Sequence, residues 1–274
     1  MILVIDANQA THRAYHISGL SHLGQQTNVI YGVLNSTLKQ VKRFKPDKLV
    51  FCWDSYNNKR KKIDKNYKSN RKKDPKIYTS LYQQESQLKD IIPKLGWNQW
   101  EINGLEADDL IANIVDYSSE SKQIIIVSND SDLYQLIDNK CSLYFPTKDT
   151  VFPLMNFQIT YGIEPSQWSI LKAIAGCSSD NVKGLKNYGE KKVIDYLQKG
   201  INSKHYKYIM ENEDEWAPNL KLVELPLESV EPPPFNPLSL NTDIFFDICQ
   251  LHGFKSFLQN INTWRESFNK NTPT

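Results

Sequence analysis

Acidic residues recur in this chain wherever a buried strand is about to end. Asp6 closes the apolar run at residues 2–5, and Asp54 closes the run at 48–53. Residues 123–127 lead into Ser128-Asn129-Asp130-Ser131-Asp132. Glu106, Asp108 and Asp109 open a helical pattern in Gly104-Leu105-Glu106-Ala107-Asp108-Asp109-Leu110, and Asp180 lies in Ser178-Ser179-Asp180-Asn181. Carboxylates gathered in one place raise one another's pKa, and divalent cations relieve the repulsion. No Cys or His accompanies these acids, so the donors are hard oxygens that suit Mg²⁺, with Mn²⁺ as a substitute, rather than zinc. Two such ions about 4 Å apart activate a water and steady a leaving oxygen, which is the chemistry of phosphodiester hydrolysis. Taken singly, each acid is more often a turn former or a helix cap; Asp130 and Asp132, for example, would cap a helix at 133–137. Independent caps, however, have no reason to follow several strands in succession.

The elements that must position these acids are legible in the apolar pattern. Residues 2–5, 48–53 and 123–127 are short runs of Val, Ile, Leu and aromatics without clear alternation, as expected for a parallel sheet covered on both faces. Helical spacing is found at 29–44, 80–95 and 105–117. Strands alternating with helices predict an α/β fold with a mostly parallel central sheet. In such a sheet the carboxyl ends of the strands share one edge, where ligands bind. Beyond residue 152 the pattern predicts a helix within 160–175, a Gly-, Ser- and Asn-rich segment at 176–189, a helix at about 190–197, a Pro-rich linker or extended wrap at 225–237 and an apolar helix at about 243–258. The expected organisation is a core at 1–155 and a C-terminal helical subdomain at 156–274, with no internal repeat.

One segment breaks the alternation. Residues 59–76 read KRKKIDKNYKSNRKKDPK, with ten Lys or Arg and two Asp, a net charge of +8. The whole chain of 274 residues carries only +2, so the remainder is 2 − 8 = −6. A basic arm beside a carboxylate rim suggests a polyanion guided onto metal ions, and Tyr67 offers a ring on which a base could stack. A solvated flexible loop or a nuclear-localisation signal is the blander account. The four cysteines fall singly, which excludes a zinc ribbon or a disulfide scaffold and fits a reducing cytoplasm. The opening MILVID is too short for a signal-peptide core, and no run approaches 18 apolar residues. These features predict a soluble protein of the cell interior. His12 and His16 stand four apart, but no HExxH pattern accompanies them, and packing explains them better than zinc. Trp97, Trp100 and Trp168 read as core.

Together these motifs resemble the 5′-nuclease superfamily: flap endonucleases and 5′–3′ exonucleases, including the nuclease domain of bacterial DNA polymerase I. The resemblance covers residue 1 to about 197. MILVIDANQATHRAYH is similar to the family's opening strand, with Asp6 as its metal-binding acid and Arg13 as the following arginine on the DNA side. FCWDS supplies Asp54, GLEADDLIA supplies Glu106, Asp108 and Asp109, and VSNDSDLYQLI supplies Asp130 and Asp132. NYKSNR resembles the Tyr-Lys-x-Asn-Arg segment of bacteriophage members, which implies an arch at about 56–90 over the active site, with Lys68 and Arg71 on the scissile phosphate. A cation there neutralises charge on phosphoryl oxygens. GCSSDN, GLKNYG and EKK resemble a helix–three-turn–helix that grips duplex DNA, which implies contacts by Lys183, Gly184, Gly189, Lys191 and Lys192 and a metal role for Asp180.

There are two departures from the family pattern. Cys177 stands where the family has an Asp, and Asn187 replaces a hairpin Gly. A thiol is a poor Mg²⁺ ligand, so weaker binding of the second metal is expected, while Asn tolerates positive φ and leaves the turn intact. The tail faintly resembles that of phage ribonuclease H. The resemblance implies a PIN-like nuclease core acting with two Mg²⁺ ions on branched or 5′-ended DNA or an RNA–DNA hybrid, alongside replication proteins and as a monomer. The alternatives are a branched-DNA binding protein weakened in catalysis by Cys177, and a small toxin-like ribonuclease, which would lack the arm and the hairpin.

Overall fold

The computed structural model describes residues 1–16, 20–71 and 75–269. Its centre is a six-stranded sheet of β1 (Ile2–Asp6), β2 (Lys48–Cys52), β3 (Asn98–Trp100), β4 (Ile124–Val127), β5 (Cys141–Phe145) and β6 (Thr150–Phe152). The spatial order is β3-β2-β1-β4-β5-β6, and all neighbours pair in parallel except β5 and β6. From β1 the chain builds outward on one side to β2 and β3, then crosses to β4 on the other. The crevice outside the carboxyl ends at such a reversal is where open parallel sheets bind ligands. Asp6 ends β1, and Asp54 and Asp130 lie just past β2 and β4, so the topology itself brings the first acids to one rim.

The strands look uniformly apolar because both faces are covered. Ile2, Val4, Val50, Cys52, Ile124 and Ile126 enter one core, and Leu3, Ile5, Leu49, Phe51, Ile125 and Val127 enter the other. The first face is covered by α4 (Ala107–Tyr117), after α1 (Ala7–Tyr15), α2 (Asn28–Phe44) and α3 (Pro75–Lys94) have been laid on the second. Leu171, Ala173 and Ile174 of the helix Trp168–Ala175 also pack on the first face.

The helix expected within 160–175 is Trp168–Ala175, which starts after the 3₁₀ turn opened by Pro165, and a further helix, Leu154–Tyr161, precedes it and ends at the left-handed Gly162 (φ 63°). The predicted organisation differs from the observed one in two places. The pattern at 243–258 breaks at Gly253 (φ 69°) into Thr242–Leu251 and Lys255–Gln259. The boundary at residue 155 does not match the packing of the tail. Leu240, Phe245, Ile248, Phe257, Trp264 and Phe268 return to the second core beside β1 and α2.

The Pro-rich stretch makes that return along the edge of the sheet. The Asn236 N–H donates to Asn98 Oδ1 (2.8 Å), Asn98 Nδ2 donates to the Asn236 carbonyl (3.0 Å), and the Leu238 N–H donates to the Asp47 carbonyl (2.7 Å). These bonds cover the short edge strand β3 and leave less of it open to pairing with another chain. Trp97, Trp100 and Trp168 are buried, as expected of core residues. No helix among the described residues is long and apolar enough to cross a membrane.

Trp264 tests the role of the tail. It is fully buried against Phe245 and Phe257, with ring centroids at 4.4 and 4.9 Å, and its Nε1 has no partner among the described residues. Trp264→Ala should cost about 3–5 kcal/mol in urea denaturation followed by circular dichroism. Trp264→Phe should cost clearly less, since it keeps a ring and removes an unpaired donor. A loss below about 1 kcal/mol for the alanine variant would show the tail to be an appendage rather than core.

Candidate active site

Each acid of the rim is fixed by backbone before any ligand is considered. Asp6 caps α1, accepting the Gln9 N–H at 3.0 Å, and its other oxygen accepts the Ser128 hydroxyl at 2.9 Å. Asp54 accepts the Ala107 N–H at 2.8 Å, which ties the end of β2 to the start of α4, while its own N–H donates to Asn8 Oδ1 at 2.7 Å. Glu106 is the N-cap of α4, and Asp108 lies in its first turn. Asp130 caps the 3₁₀ helix Ser131–Leu136 through the Asp132 N–H at 2.9 Å. The capping roles expected of Asp130 and Glu106 are therefore real, whereas Asp132 lies within the 3₁₀ turn and its carboxylate pairs with Lys172. The caps coexist with convergence, because the capped helices all start at the same sheet edge.

Burial and proximity shape the ionisation of the rim. Burial pushes Asp6 up to about 7; the Gln9 N–H opposes this, and Asp54 and Asp130 add to it. Asp54 is raised by burial and by Glu106, and Asp108 is raised well above the ordinary value by burial, Asp130 and Asp6. Asp132 is raised by burial and by Asp130, against the pull of Lys172 at 3.1 Å. Glu106 moves the other way: burial raises it, but Lys68 and Arg60 outweigh burial and hold it below the usual carboxylate range. A rim of buried, mutually repelling oxygens is a donor set that a hard divalent cation satisfies. Asp132, Cys177 and Asp180 form a second group, with one donor atom from each lying within 4.8 Å of the others.

Among the described residues of the basic arm, Arg60, Tyr67, Lys68 and Arg71 are folded onto this rim, while Lys61, Lys62 and Lys65 are exposed. Arg60–Ile63 is one helical turn. Lys68 adopts φ 55°, its N–H donates to the Asp180 carbonyl at 2.8 Å, and its ammonium pairs with Glu106 and lies 4.0 Å from Asp180. Arg71 Nη2 reaches Asp180 at 2.8 Å, and Asn70 Nδ2 donates to the Ser178 carbonyl at 2.7 Å. Lys72, Lys73 and Asp74 of the basic run lie outside the described residues. Tyr67 does not offer a stacking ring. It is 2% exposed, and its hydroxyl donates to Glu106 at 2.9 Å with Asp180 at 3.2 Å.

Asp109 also departs from expectation. It is fully buried behind the rim, where it takes a two-bond fork from Arg60 (2.6 and 2.8 Å), the Leu227 N–H (2.8 Å) and the Glu106 N–H (3.0 Å). Those bonds occupy its oxygens, so it supports Glu106 and does not stand as a metal ligand. Arg13 is partly buried and feels the charge of Asp6, and burial lowers its pKa. Lys183, Lys191 and Lys192 are exposed around the hairpin of Gly176–Cys177 with Val182–Lys183, and Gly189 caps the helix Glu190–Lys199. Gly184 is a packing glycine, since a Cβ there would lie 2.2 Å from the backbone of Ala175. Asn187 takes φ 65°, as expected for the residue replacing Gly.

Sequence reasoning missed Arg60. Its guanidinium is 1% exposed and spends every N–H: Nε on the Leu222 carbonyl (3.0 Å), Nη1 on Asp109 and Glu106 (3.4 Å), and Nη2 on Asp109 and the Glu224 carbonyl (3.1 Å). Nothing in a run of lysines marks one arginine as buried. Asn8, Gln9, Ser128 and Lys172 were missed for the same reason, as ordinary polar types next to the acids. Gln9 Oε1 accepts the Asn129 N–H at 2.7 Å.

Residues 1–162 match the sequence profile of the 5′-3′ exonuclease N-terminal resolvase-like domain. A 5′-3′ exonuclease of Buchnera aphidicola is 32% identical over 211 residues, 74% of this chain and 72% of that protein. One from Mycoplasmopsis pulmonis is 32% identical over 191 residues, 69% of this chain, and that match spans 63% of the relative's length. The bacteriophage T5 flap endonuclease, solved as a complex with DNA and metal ions, superposes with a TM-score of 0.67 at 18% identity, covering 95% of this chain and 97% of its own. At that identity the likeness is one of fold.

Two outcomes follow from the site. Arg60→Ala would leave Asp109 buried without its cation, Glu106 keeping Lys68, and should cost about 3–5 kcal/mol in denaturant unfolding. Arg60→Lys should not restore it, because an ammonium cannot reproduce the fork. Full stability in either variant would contradict the assignment. The second outcome concerns pH. Asp6, Asp54, Asp108 and Asp132 hold protons more tightly folded than unfolded, so in EDTA stability should fall as pH rises from about 4 to about 7, on the order of a few kcal/mol. Glu106, shifted down, contributes stability above its ordinary value of 4.5 and loses it only in acid. Thermal melts should therefore show Mg²⁺ raising Tm more at pH 7.5 than at pH 5, and Asp6→Asn flattening the slope; a flat wild-type profile would refute the account.

Proposed function

This chain belongs to the 5′-3′ exonuclease family, and from that premise we propose that it is a structure-specific 5′-nuclease that hydrolyses phosphodiesters of branched or 5′-ended DNA in primer removal or repair. The observation that carries the reading is the convergence of Asp6, Asp54, Glu106, Asp108 and Asp130 at the switch point of the sheet, with a basic arm lying directly on them. An RNA–DNA hybrid belongs to the same substrate class. Divalent cations, Mg²⁺ with Mn²⁺ as substitute, would supply the activated water and the charge that steadies the leaving oxygen. Asp6, Asp54, Glu106, Asp108 and Asp130 would hold one such ion, and Asp132 and Asp180, with Cys177 between them, stand where a second divalent cation would bind.

The chain's own residues do the rest. Lys68 and Arg71 are cations held over the carboxylates, and a scissile phosphate entering the rim would meet both. Aimed at the phosphoryl oxygens, they stabilise the charge that develops there. The exposed Lys183, Lys191 and Lys192 give the hairpin a sequence-independent hold on duplex phosphates. Burial of the rim strengthens the interaction of Lys68 by excluding water.

The test uses a 5′-labelled flap duplex with Mg²⁺ or Mn²⁺. The expected result is cleavage near the junction that requires a free 5′ end. It should fall roughly 100–1,000-fold in Asp130→Ala and by a similar factor in Lys68→Ala. Tight flap binding with no cleavage in either ion would leave a DNA-structure binder and overturn the reading.

A further inference from the structure

The two halves of the acid rim differ in chemistry. Around Asp6, Asp54 and Asp108 the donors facing one another are carboxylate oxygens. In the other half a sulfur stands among them. Cys177 is 5% exposed, at the end of the two-residue strand Gly176–Cys177, and its Sγ lies 4.0 Å from Asp132 Oδ2 and 3.0 Å from Ser179 Oγ. Asp180 returns to it across a tight turn, with the Asp180 N–H on the Cys177 carbonyl at 3.3 Å. One donor atom each from Asp132, Cys177 and Asp180 fits within 4.8 Å.

We infer that Asp132, Cys177 and Asp180 form a thiolate–carboxylate site selective for a thiophilic divalent cation of the zinc class, so that the two halves of the rim take unlike ions. The inference rests on reading the rim as a divalent-cation site. Its physical basis is ligand softness: a thiolate favours Zn²⁺, Cd²⁺ or Co²⁺, whereas Mg²⁺ requires oxygen ligands. Three protein donors with a fourth position left for solvent is the usual form of an open zinc site.

The donors are also held from outside. Lys172 fixes Asp132 at 3.1 Å, while Arg71 (2.8 Å), the Tyr67 hydroxyl (3.2 Å) and Lys68 (4.0 Å) face Asp180. Those cations occupy the oxygens in the absence of a divalent ion, and one that binds must displace or share with Arg71 and Lys68. As the metal–sulfur bond forms, the thiol proton leaves to solvent. The turn geometry keeps the donors together: Gly176 takes φ 83°, and a side chain at Gly184 would collide with Ala175.

The experiment titrates the full chain, without DNA, with Cd²⁺ and follows the ultraviolet thiolate-to-metal absorption. The expected result is a band saturating at one equivalent, resistant to a large excess of Mg²⁺, and absent in Cys177→Ser. Cys177→Asp should lose the band, weaken Cd²⁺ by at least about tenfold and tighten Mg²⁺, measured by calorimetry. Circular dichroism confirms folding of the serine variant, and the aspartate variant supplies a second, independent comparison. No band in the wild type, a band that persists in Cys177→Ser, or displacement by equimolar Mg²⁺ would each overturn the inference. Failure here with flap cleavage intact removes only the thiophilic site; loss of cleavage with the band intact removes only the nuclease reading.

Discussion

Like charges cannot be crowded into a low-dielectric crevice without compensation, and the rest of the molecule is arranged around that constraint. Strand order carries Asp6, Asp54 and Asp130 to one edge, and the start of α4 brings Glu106 and Asp108 to meet them. The fold then answers the repulsion in several ways. Helix N-termini and backbone N–H groups cap individual carboxylates, Lys68 and Arg71 reach in from the arm, and Arg60 neutralises the buried acids behind the rim. What remains uncompensated, burial first and mutual repulsion after it, appears as the raised carboxyls of Asp6, Asp54 and Asp108. A divalent charge would relieve both, so the same constraint that strains the fold also prepares the site.

The basic segment shows how one compositional feature divides into unlike parts. Arg60 is interior structure, Tyr67 is a buried hydroxyl bridge between Glu106 and Asp180, and Lys68 and Arg71 face the rim. The net charge of the run is a property of the whole segment and does not distinguish its members. The sorting of its members is done by the turn at Arg60–Ile63 and by the left-handed backbone at Lys68.

Much of this was legible in the sequence, and for identifiable reasons. The strands β1, β2 and β4 are apolar on both faces, and each hands over to an acid, so the parallel sheet and its reactive edge could be read together. Asp109 was misplaced because, in Glu-Ala-Asp-Asp, adjacent acids look equivalent; helical geometry turns one to the rim and the next to Arg60. The three-residue strands β3 and β6 carry too few residues to show a period. The path of the tail was hidden because nothing in a run of prolines says that it will skirt an edge strand and deliver Phe245 and Trp264 to the far face.

The hydrogen bonds of Arg60 span a great length of chain. Its partners Leu222 and Glu224 follow it by 162 and 164 residues. During vectorial synthesis the arm and the acid helix emerge first, and the carbonyls that complete the guanidinium's shell emerge more than 100 residues after both. Until then the buried ion pair lacks part of its lining, and closing so long a loop is a late event on entropic grounds. The acid rim is therefore finished late, and a nascent chain that stops short of Leu222 would carry its first acids without the clamp that sets them in register.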